Sequence, residues 1–232
     1  TQTTINFSFI PTDDIDSGTV CNVTLDGQVN KSMLEVANNT YGNFSVSGLT
    51  EGVHTWNISC ADNASNRNTS LTRTLTVDTT SPIVGLQNPA NNAWQQSSSV
   101  TFGYIITDTN AKNCTLYGNF NGTWLANVTN VSLANGAYVN NTVTMTNGNS
   151  SYLWNVLCYD YTGNSAFNAT NFTFSVDSAF PSVVLQSPQD GLNTTQTTIN
   201  FSFIPTDDID SGTVCNLTLD GQVNKSNLEV AN

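Results

Sequence analysis

Residues 1–38 of this chain return as residues 195–232 with two changes, Val23 becoming Leu217 and Met33 becoming Asn227. Near-identity at a fixed spacing of 194 residues marks an architecture in which one unit is stacked on copies of itself. A catalytic domain has no use for such a period, whereas a polymer does. A weaker repeat is nested inside it. Pro82–Pro89 (PIVGLQNP) is echoed by Pro181–Pro188 (PSVVLQSP), and His54–Asp62 (HTWNISCAD) by Tyr152–Asp160 (YLWNVLCYD). Each period therefore holds two related domains. The junctions fall at Asp78–Pro82 and Asp177–Pro181, where a proline can end one strand and start the next with almost no spacer. The expected domains are residues 1–81, residues 82–180, and residues 181–232 as the first half of the next copy of the first domain.

Within each domain the apolar residues alternate with a period of two. Ile5, Phe7 and Phe9 share one face of a first strand, and Cys21, Val23 and Leu25 repeat the pattern. Phe44 and Val46, then Trp56, Ile58 and Cys60, then Leu71, Leu75 and Val77 complete the set. The second domain runs in step through Val100, Phe102, Tyr104 and Ile106, Cys114 and Leu116, Val143 and Met145, Trp154, Val156 and Cys158, and Phe172, Phe174 and Val176. Half-buried strands separated by Gly, Asn and Asp turns every ~8 to 12 residues predict an all-β chain of antiparallel sandwich domains. No segment is a convincing amphipathic helix, and Met33–Ala37 is expected as a short turn.

Cys21 with Cys60, and Cys114 with Cys158, give each domain one pair at corresponding inward positions. Cys215 copies Cys21, and its partner is expected in the next repeat. Bridged pairs place the chain in an oxidising, extracellular compartment. Unbridged, the same residues would be small core side chains in a cytosolic sandwich.

Asn-x-Ser/Thr triplets are the loudest chemical signal. The chain holds 34 asparagines and twenty such triplets, none with Pro in the middle, against about eight expected by chance. Asn6, Asn22, Asn43, Asn57, Asn113, Asn140 and Asn171 are predicted in strands on the parity opposite the apolar residues, facing solvent. Asn30, Asn38, Asn63, Asn68, Asn121, Asn127, Asn130, Asn149, Asn168 and Asn193 are predicted in turns and loops, and Asn200, Asn216 and Asn224 repeat earlier sites. N-linked glycans at this spacing would cover both sheet faces, hinder proteases and blunt edge strands.

In order, the chain presents an apolar strand, an Asp-rich turn, a Cys strand, Trp-x-x-x-Cys-x-Asp, and a last strand closing on Asp before a Pro-led next domain. This order resembles the tandem immunoglobulin-like repeats of large, heavily glycosylated surface and filament proteins, particularly archaeal ones. The resemblance spans the whole chain and implies tandem Ig-like sandwiches and a scaffold role, with no catalytic residues. Two departures from antibody domains stand out. Trp56 and Trp154 share a strand with the second Cys, and Ile58 or Val156 stands two residues before that Cys, so there is no tyrosine corner.

A formal charge of −12 argues against nucleic acid and anionic membrane surfaces. No run of eighteen or more apolar residues offers a membrane helix, and Thr1 opens into strand-like sequence with no leader, as in a mature or excerpted chain. Enzyme chemistry finds no support. His54 is the only histidine and precedes a core strand, and there is no Ser/His/Asp set, Gly-rich phosphate loop or CxxC. Asp13, Asp14 and Asp16, repeated as Asp207, Asp208 and Asp210, offer oxygens that calcium would take. The competing expectation is a solvated turn whose carboxylates cap backbone amides. Lys112 shares the parity of Cys114 and Leu116, whereas Lys31 and Lys225 do not, and an intramolecular amide crosslink is not expected at any of them.

The expected function is a structural repeat of an extracellular glycosylated filament, stalk or cell-surface fibre. Its partners would be copies of itself and its only cofactors covalent glycans, apart from calcium. The rival reading is an adhesin or receptor module binding through Tyr117, Phe120, Trp124, Tyr159 and Tyr161. The Pro-led strand that completes the first domain is expected from a preceding covalent repeat or from a separate subunit. Two domains of roughly 35 Å would advance about 70 Å per repeat.

Overall fold

The computed structural model describes residues 4–145, 150–209 and 212–231. All regular elements among them are strands, so no described helix is long and apolar enough to cross a membrane. The chain forms two compact units, residues 1–80 and 81–232.

Unit 1 is a sandwich of two sheets. β1 (Thr4–Phe9) pairs with β4 (Gly42–Ser47), setting Phe7 opposite Phe44 and Ile5 opposite Val46. The second sheet has the order β3-β2-β5-β6, from β2 (Gly18–Leu25), β3 (Gln28–Ala37), β5 (Gly52–Ala61) and β6 (Arg67–Thr69), with β7 (Arg73–Val77) also on β5. The inward faces meet in a core of Phe7, Phe44 and Val46 against Cys21, Val23, Leu25 and Ile58. Alternation decides this: Thr19, Cys21, Val23 and Leu25 are buried while the residues between them are half-exposed.

Unit 2 repeats the plan and enlarges it. β10 (Ser99–Thr107) stands between β13 (Tyr138–Thr144) and β8 (Ile83–Asn88) in one sheet. The facing sheet has the order β12-β11-β14-β16-β9, from β11 (Ala111–Gly118), β12 (Leu125–Val131), β14 (Ser150–Asp160), β16 (Phe172–Val176) and β9 (Ala93–Gln95), with β15 (Ser165–Phe167) on β14. All ladders are antiparallel except β16 with β9. Trp154 lies wholly inside, edge-on to Phe102 at 5.1 Å and to Phe172 at 5.9 Å. Gly118 lets Phe120 fold back into this core, because a Cβ there would overlap the Phe120 ring. After this sandwich come two hairpin-like pairs, β17 (Ser182–Ser187) with β18 (Ser202–Thr206) and β19 (Gly212–Leu219) with β20 (Gln222–Ala231). The chain is thus all-β, built of tandem Ig-like sandwiches.

Cys21–Cys60 and Cys114–Cys158 are disulfides, and Cys215 is a free thiol. Each bridge joins residues directly opposite each other on neighbouring strands of one sheet, β2 with β5 and β11 with β14, with Cα atoms 4.1 and 4.0 Å apart. Antibody domains bridge their two sheets instead.

Several expectations need correction. Met33–Ala37 is not a turn but the end of β3, where Leu34 and Val36 keep the alternation and Met33 takes a left-handed φ of 64° at a register shift. Leu71 lies outside β7 and is exposed, because no strand carries it inward. Lys112 is exposed: a bulge between Ala111 and Asn113 breaks the parity that linked it to Cys114.

Replacing both Cys21 and Cys60 with Ser opens a loop with a sequence separation of 39. The expected cost is about 3–4 kcal/mol of unfolding free energy in unit 1. Urea unfolding followed by amide exchange of unit 1 peptides measures it, and a loss under about 1 kcal/mol contradicts the expectation.

Candidate functional site

The candidate glycosylation asparagines are set by strand pairing. None of the nineteen among the described residues is buried, and Asn149, like Asp210, lies outside those residues. Asn6 and Asn43 sit on the outer face of the β1–β4 pair, where their Oδ1 atoms accept hydrogen bonds from Ser45 and Ser8. Asn22 lies between buried Cys21 and Val23 in β2, and Asn57 and Asn113 stand beside buried Ile58 and Cys114 in β5 and β11. Asn140 is exposed between buried Val139 and Asn141. Asn38 is held more tightly: its Oδ1 accepts from the Asp13 N–H and its Nδ2 donates to the Asp13 carbonyl.

Seven asparagines stand elsewhere than their local sequence suggests, among them Asn200, the copy of Asn6, which lies outside any strand, and Asn224, the copy of Asn30, which lies in β20. Asn171 precedes β16 rather than lying in a strand. Asn30, Asn68, Asn127 and Asn130, expected in loops, lie in β3, β6 and β12. Asn130 stands opposite Cys114, and residues opposite one another share a face, so its amide turns inward. There its Oδ1 accepts from the Tyr104 hydroxyl at 3.1 Å and from Asn141 Nδ2 at 2.9 Å. Burial pushes the Tyr104 phenol up to about 12, so it stays a donor.

Asp13, Asp16 and Asp62 bring carboxylate oxygens within 4.8 Å of one another, and Asp14 stands outside the group. Their hydrogen bonds are those of turn caps. Asp13 Oδ1 accepts from the N–H groups of Asp16 and Ile15, which hold its pKa below the ordinary carboxylate value. Asp16 accepts from the backbone and side chain of Asn63, and Asp62 from those of Asn66. Asp160, the counterpart of Asp62, is almost fully buried. Burial opposes its charge, yet hydrogen bonds from Asn164, Thr162 and Gly163 outweigh it and lower the pKa.

His54 is a buried fastener. Its Nε2 faces the Thr50 carbonyl at 2.9 Å and its Nδ1 faces Asp26 Oδ2 at 2.7 Å, while the Asp26 carboxylate also accepts from the Thr55 N–H. Acceptors on both sides of the ring favour two ring protons. The Thr50 carbonyl, and then the Asp26 carboxylate, raise its pKa above the ordinary value. The His54 hydrogen bond in turn lowers that of Asp26.

The aromatic group divides. Phe120 belongs to the core. Tyr117 stacks on Trp124 at 6.2 Å and meets Phe167 edge-on at 5.3 Å, forming a platform. Trp124 and Phe167 are both exposed, as are Tyr159 and Tyr161. Phe167 gives no signal in the sequence. It sits on a strand too short for alternation to show.

No family model matches the chain, and no curated protein matches it. Similar solved structures include fibronectin(III)-like modules of Clostridium thermocellum CbhA, 13% identical over 75% of this chain and 85% of that one, with a TM-score of 0.42. A 1.5-MDa bacterial ice-binding adhesin is 19% identical over 81% of this chain and 62% of that one, with a TM-score of 0.43. Bacteroides ovatus SGBP-B, solved with a mixed-linkage heptasaccharide, is 12% identical over 97% and 63%, with a TM-score of 0.22. These are distant likenesses, and nothing about the site rests on them.

The His54 geometry predicts a pH dependence. A ring whose folded pKa lies above the unfolded value of about 6.5 contributes stability that is fully present below that value and lost as pH rises through the folded pKa. The thermal midpoint of unit 1 should therefore fall between about pH 6 and pH 9 more steeply in the native chain than in His54→Gln. Equal slopes in differential scanning calorimetry contradict this.

Proposed function

We propose that this chain is a structural repeat of an extracellular, N-glycosylated filament, stalk or surface fibre. One observation carries the proposal: a near-exact sequence period of 194 residues coincides with a strand order that recurs from sandwich to sandwich. Stability in such arrays comes from each unit and its neighbours, and additional copies extend length without new chemistry. The two disulfides suit an oxidising compartment. Glycans on the exposed asparagines would shield strand edges from unwanted pairing. The few charged side chains, 22 in the chain, leave that polar cover mainly to Asn, Ser, Thr and their sugars.

A second reading has its own observation. The platform of half-buried Tyr117 with exposed Trp124 and Phe167 has the flat aromatic character of a sugar-stacking surface. An adhesive module would use it, and Trp124→Ala would then abolish saccharide binding measured by titration calorimetry.

Electron microscopy of native material tests the main proposal. Fibres with a regular axial repeat are expected, and dispersed rods that bind saccharide through Trp124 would overturn it in favour of the adhesive reading. Intact-glycopeptide mass spectrometry supplies a second test. Asn6, Asn22, Asn43, Asn57 and Asn113 are expected to be modified, while Asn130 is expected to be bare because its amide faces Tyr104. Modified Asn130 with unmodified outer-face sites would contradict the assignment.

A further inference from the structure

We propose that the outer face of β12, β11, β14 and β15 is the seat of the chain's own sugar, an N-linked glycan on Asn113 that lies back along the sheet onto Tyr117, Trp124 and Phe167. The inference rests on the N-glycosylated reading above and names the place that one glycan takes.

Strand register builds the seat. On β11 the inward residues Cys114, Leu116 and Gly118 are buried, so Asn113, Thr115 and Tyr117 share the outer face. Residues directly opposite one another lie on the same face. Asn113 therefore has Val131 of β12 on one side and Tyr159 of β14 on the other. Thr115 has Thr129 and Leu157, and Leu157 in turn has Phe167 of β15. Tyr117 follows, with Trp124 stacked on it and Phe167 edge-on. The result is an apolar strip that runs from Val131 and Tyr159 past Leu157 to the aromatic platform. None of the residues named on it is charged, and Val131 and Phe167 are 68% and 43% exposed.

The fold itself does not demand this strip. Unit 1 has the same strands, and its disulfide fixes the correspondence of Cys21 with Cys114 and of Cys60 with Cys158. Where unit 2 carries Thr115, Tyr117, Leu157 and Phe167, unit 1 carries Asn22, Thr24, Ser59 and Thr69. Where unit 2 sets Val131 opposite Asn113, unit 1 sets Glu35 opposite Val20. Unit 1 thus turns a largely polar face to water, as the outer face of an antiparallel sheet ordinarily does. Unit 2 keeps aromatic and aliphatic side chains there, and a contiguous patch of that kind marks an interaction surface.

Asn113 decides the occupant. The triplet Asn113-Cys114-Thr115 lies within the strip, with Val131 and Tyr159 on its two flanks. A glycan leaving the Asn113 amide passes over one of these two side chains at its first sugar, and a flat protein partner would meet that sugar before it met the strip. Sugar rings suit the surface, because their C–H faces pack on aromatic rings while their hydroxyls stay in water. Tyr117 stands about 13 Å farther along the strand at ~3.3 Å per residue, so a short oligosaccharide lying along β11 reaches the stack of Tyr117 and Trp124. Each contact is weak, yet the covalent tether holds the sugar at an effective concentration on the order of millimolar. A free saccharide has to compete with it. The platform that would serve an adhesin is in this way covered by the chain's own glycan.

Hydroxyl-radical footprinting with mass spectrometry, on glycoprotein from the native cells, tests the seat. Thr115→Val removes the triplet and keeps a β-branched strand residue, whereas Thr115→Ser keeps the triplet. Labelling of Tyr117, Trp124, Tyr159 and Phe167 should be alike in the native chain and Thr115→Ser, and should rise about threefold to tenfold in Thr115→Val. Asn22→Gln, which removes a triplet from unit 1, should leave it unchanged. A second variant leaves the glycan in place: Trp124 is exposed, and Trp124→Ala should speed exoglycosidase trimming at Asn113 by a similar factor without changing trimming at Asn22. Labelling indifferent to Thr115→Val overturns the proposal and points to a protein cover or none. Trimming at Asn113 indifferent to Trp124→Ala overturns it as well. Intact-glycopeptide mass spectrometry separates these failures from failure of the reading beneath them. A bare Asn113 beside modified Asn22 and Asn57 defeats the seat alone, and bare asparagines throughout defeat the glycosylated reading too.

Discussion

In each complete sandwich, two neighbouring strands hold the rest in place. Cys21 stands opposite Cys60 on β2 and β5, and Cys114 opposite Cys158 on β11 and β14. Each disulfide fixes which residues of the pair face inward, and slipping one residue in a two-residue period would turn every apolar side chain to water. Trp154 stacks its bulk on the same face four residues before Cys158, and Phe102 from the opposite sheet closes over it. Trp56 and Phe7 repeat this at 5.0 Å in unit 1. The second sheet of each sandwich follows from this constraint, because the inward face needs a cover.

The constraint also explains which parts were legible in the sequence. Long strands that bury one face announce themselves by alternation, and the inward Cys pairs could be read directly from β2, β5, β11 and β14. The short edge strands could not. β6 is Arg-Asn-Thr and wholly exposed, and β12 has no buried residue. Main-chain pairing holds such strands, leaving little apolar pattern to read. Asn130 therefore reads as a loop residue, although its partner Cys114 across the ladder turns its amide inward. A left-handed φ at Met33 shifts parity without any apolar signal, so the stretch after it reads as a turn rather than as the end of β3. Phe120 belongs to a surface patch only in the rival adhesive reading; Gly118, which makes room for its return to the core, looks in sequence like an ordinary turn glycine.

The duplicated stretch separates local sequence from context. Gly18–Leu25 and Gly212–Leu219 differ only at Val23 and Leu217, and each forms a strand paired to the one that follows. Local propensity and turn chemistry suffice for that. In the first copy β5 lies on the other side of β2, and Cys21 is wholly buried; in the second Cys215 is a half-exposed free thiol. Near-identical strands thus have buried or open faces according to what stands beside them.

Amide hydrogen exchange on the full chain tests this dependence most directly, since Val23/Leu217 and Met33/Asn227 give the two copies distinct peptide masses. The account predicts that peptides of β2 exchange far more slowly than those of β19, because global protection requires a covered core and not a hairpin alone. Equal protection in the two copies would show that the stretch is stable by itself, and would contradict the claim that the β2–β5 pairing holds the sandwich together.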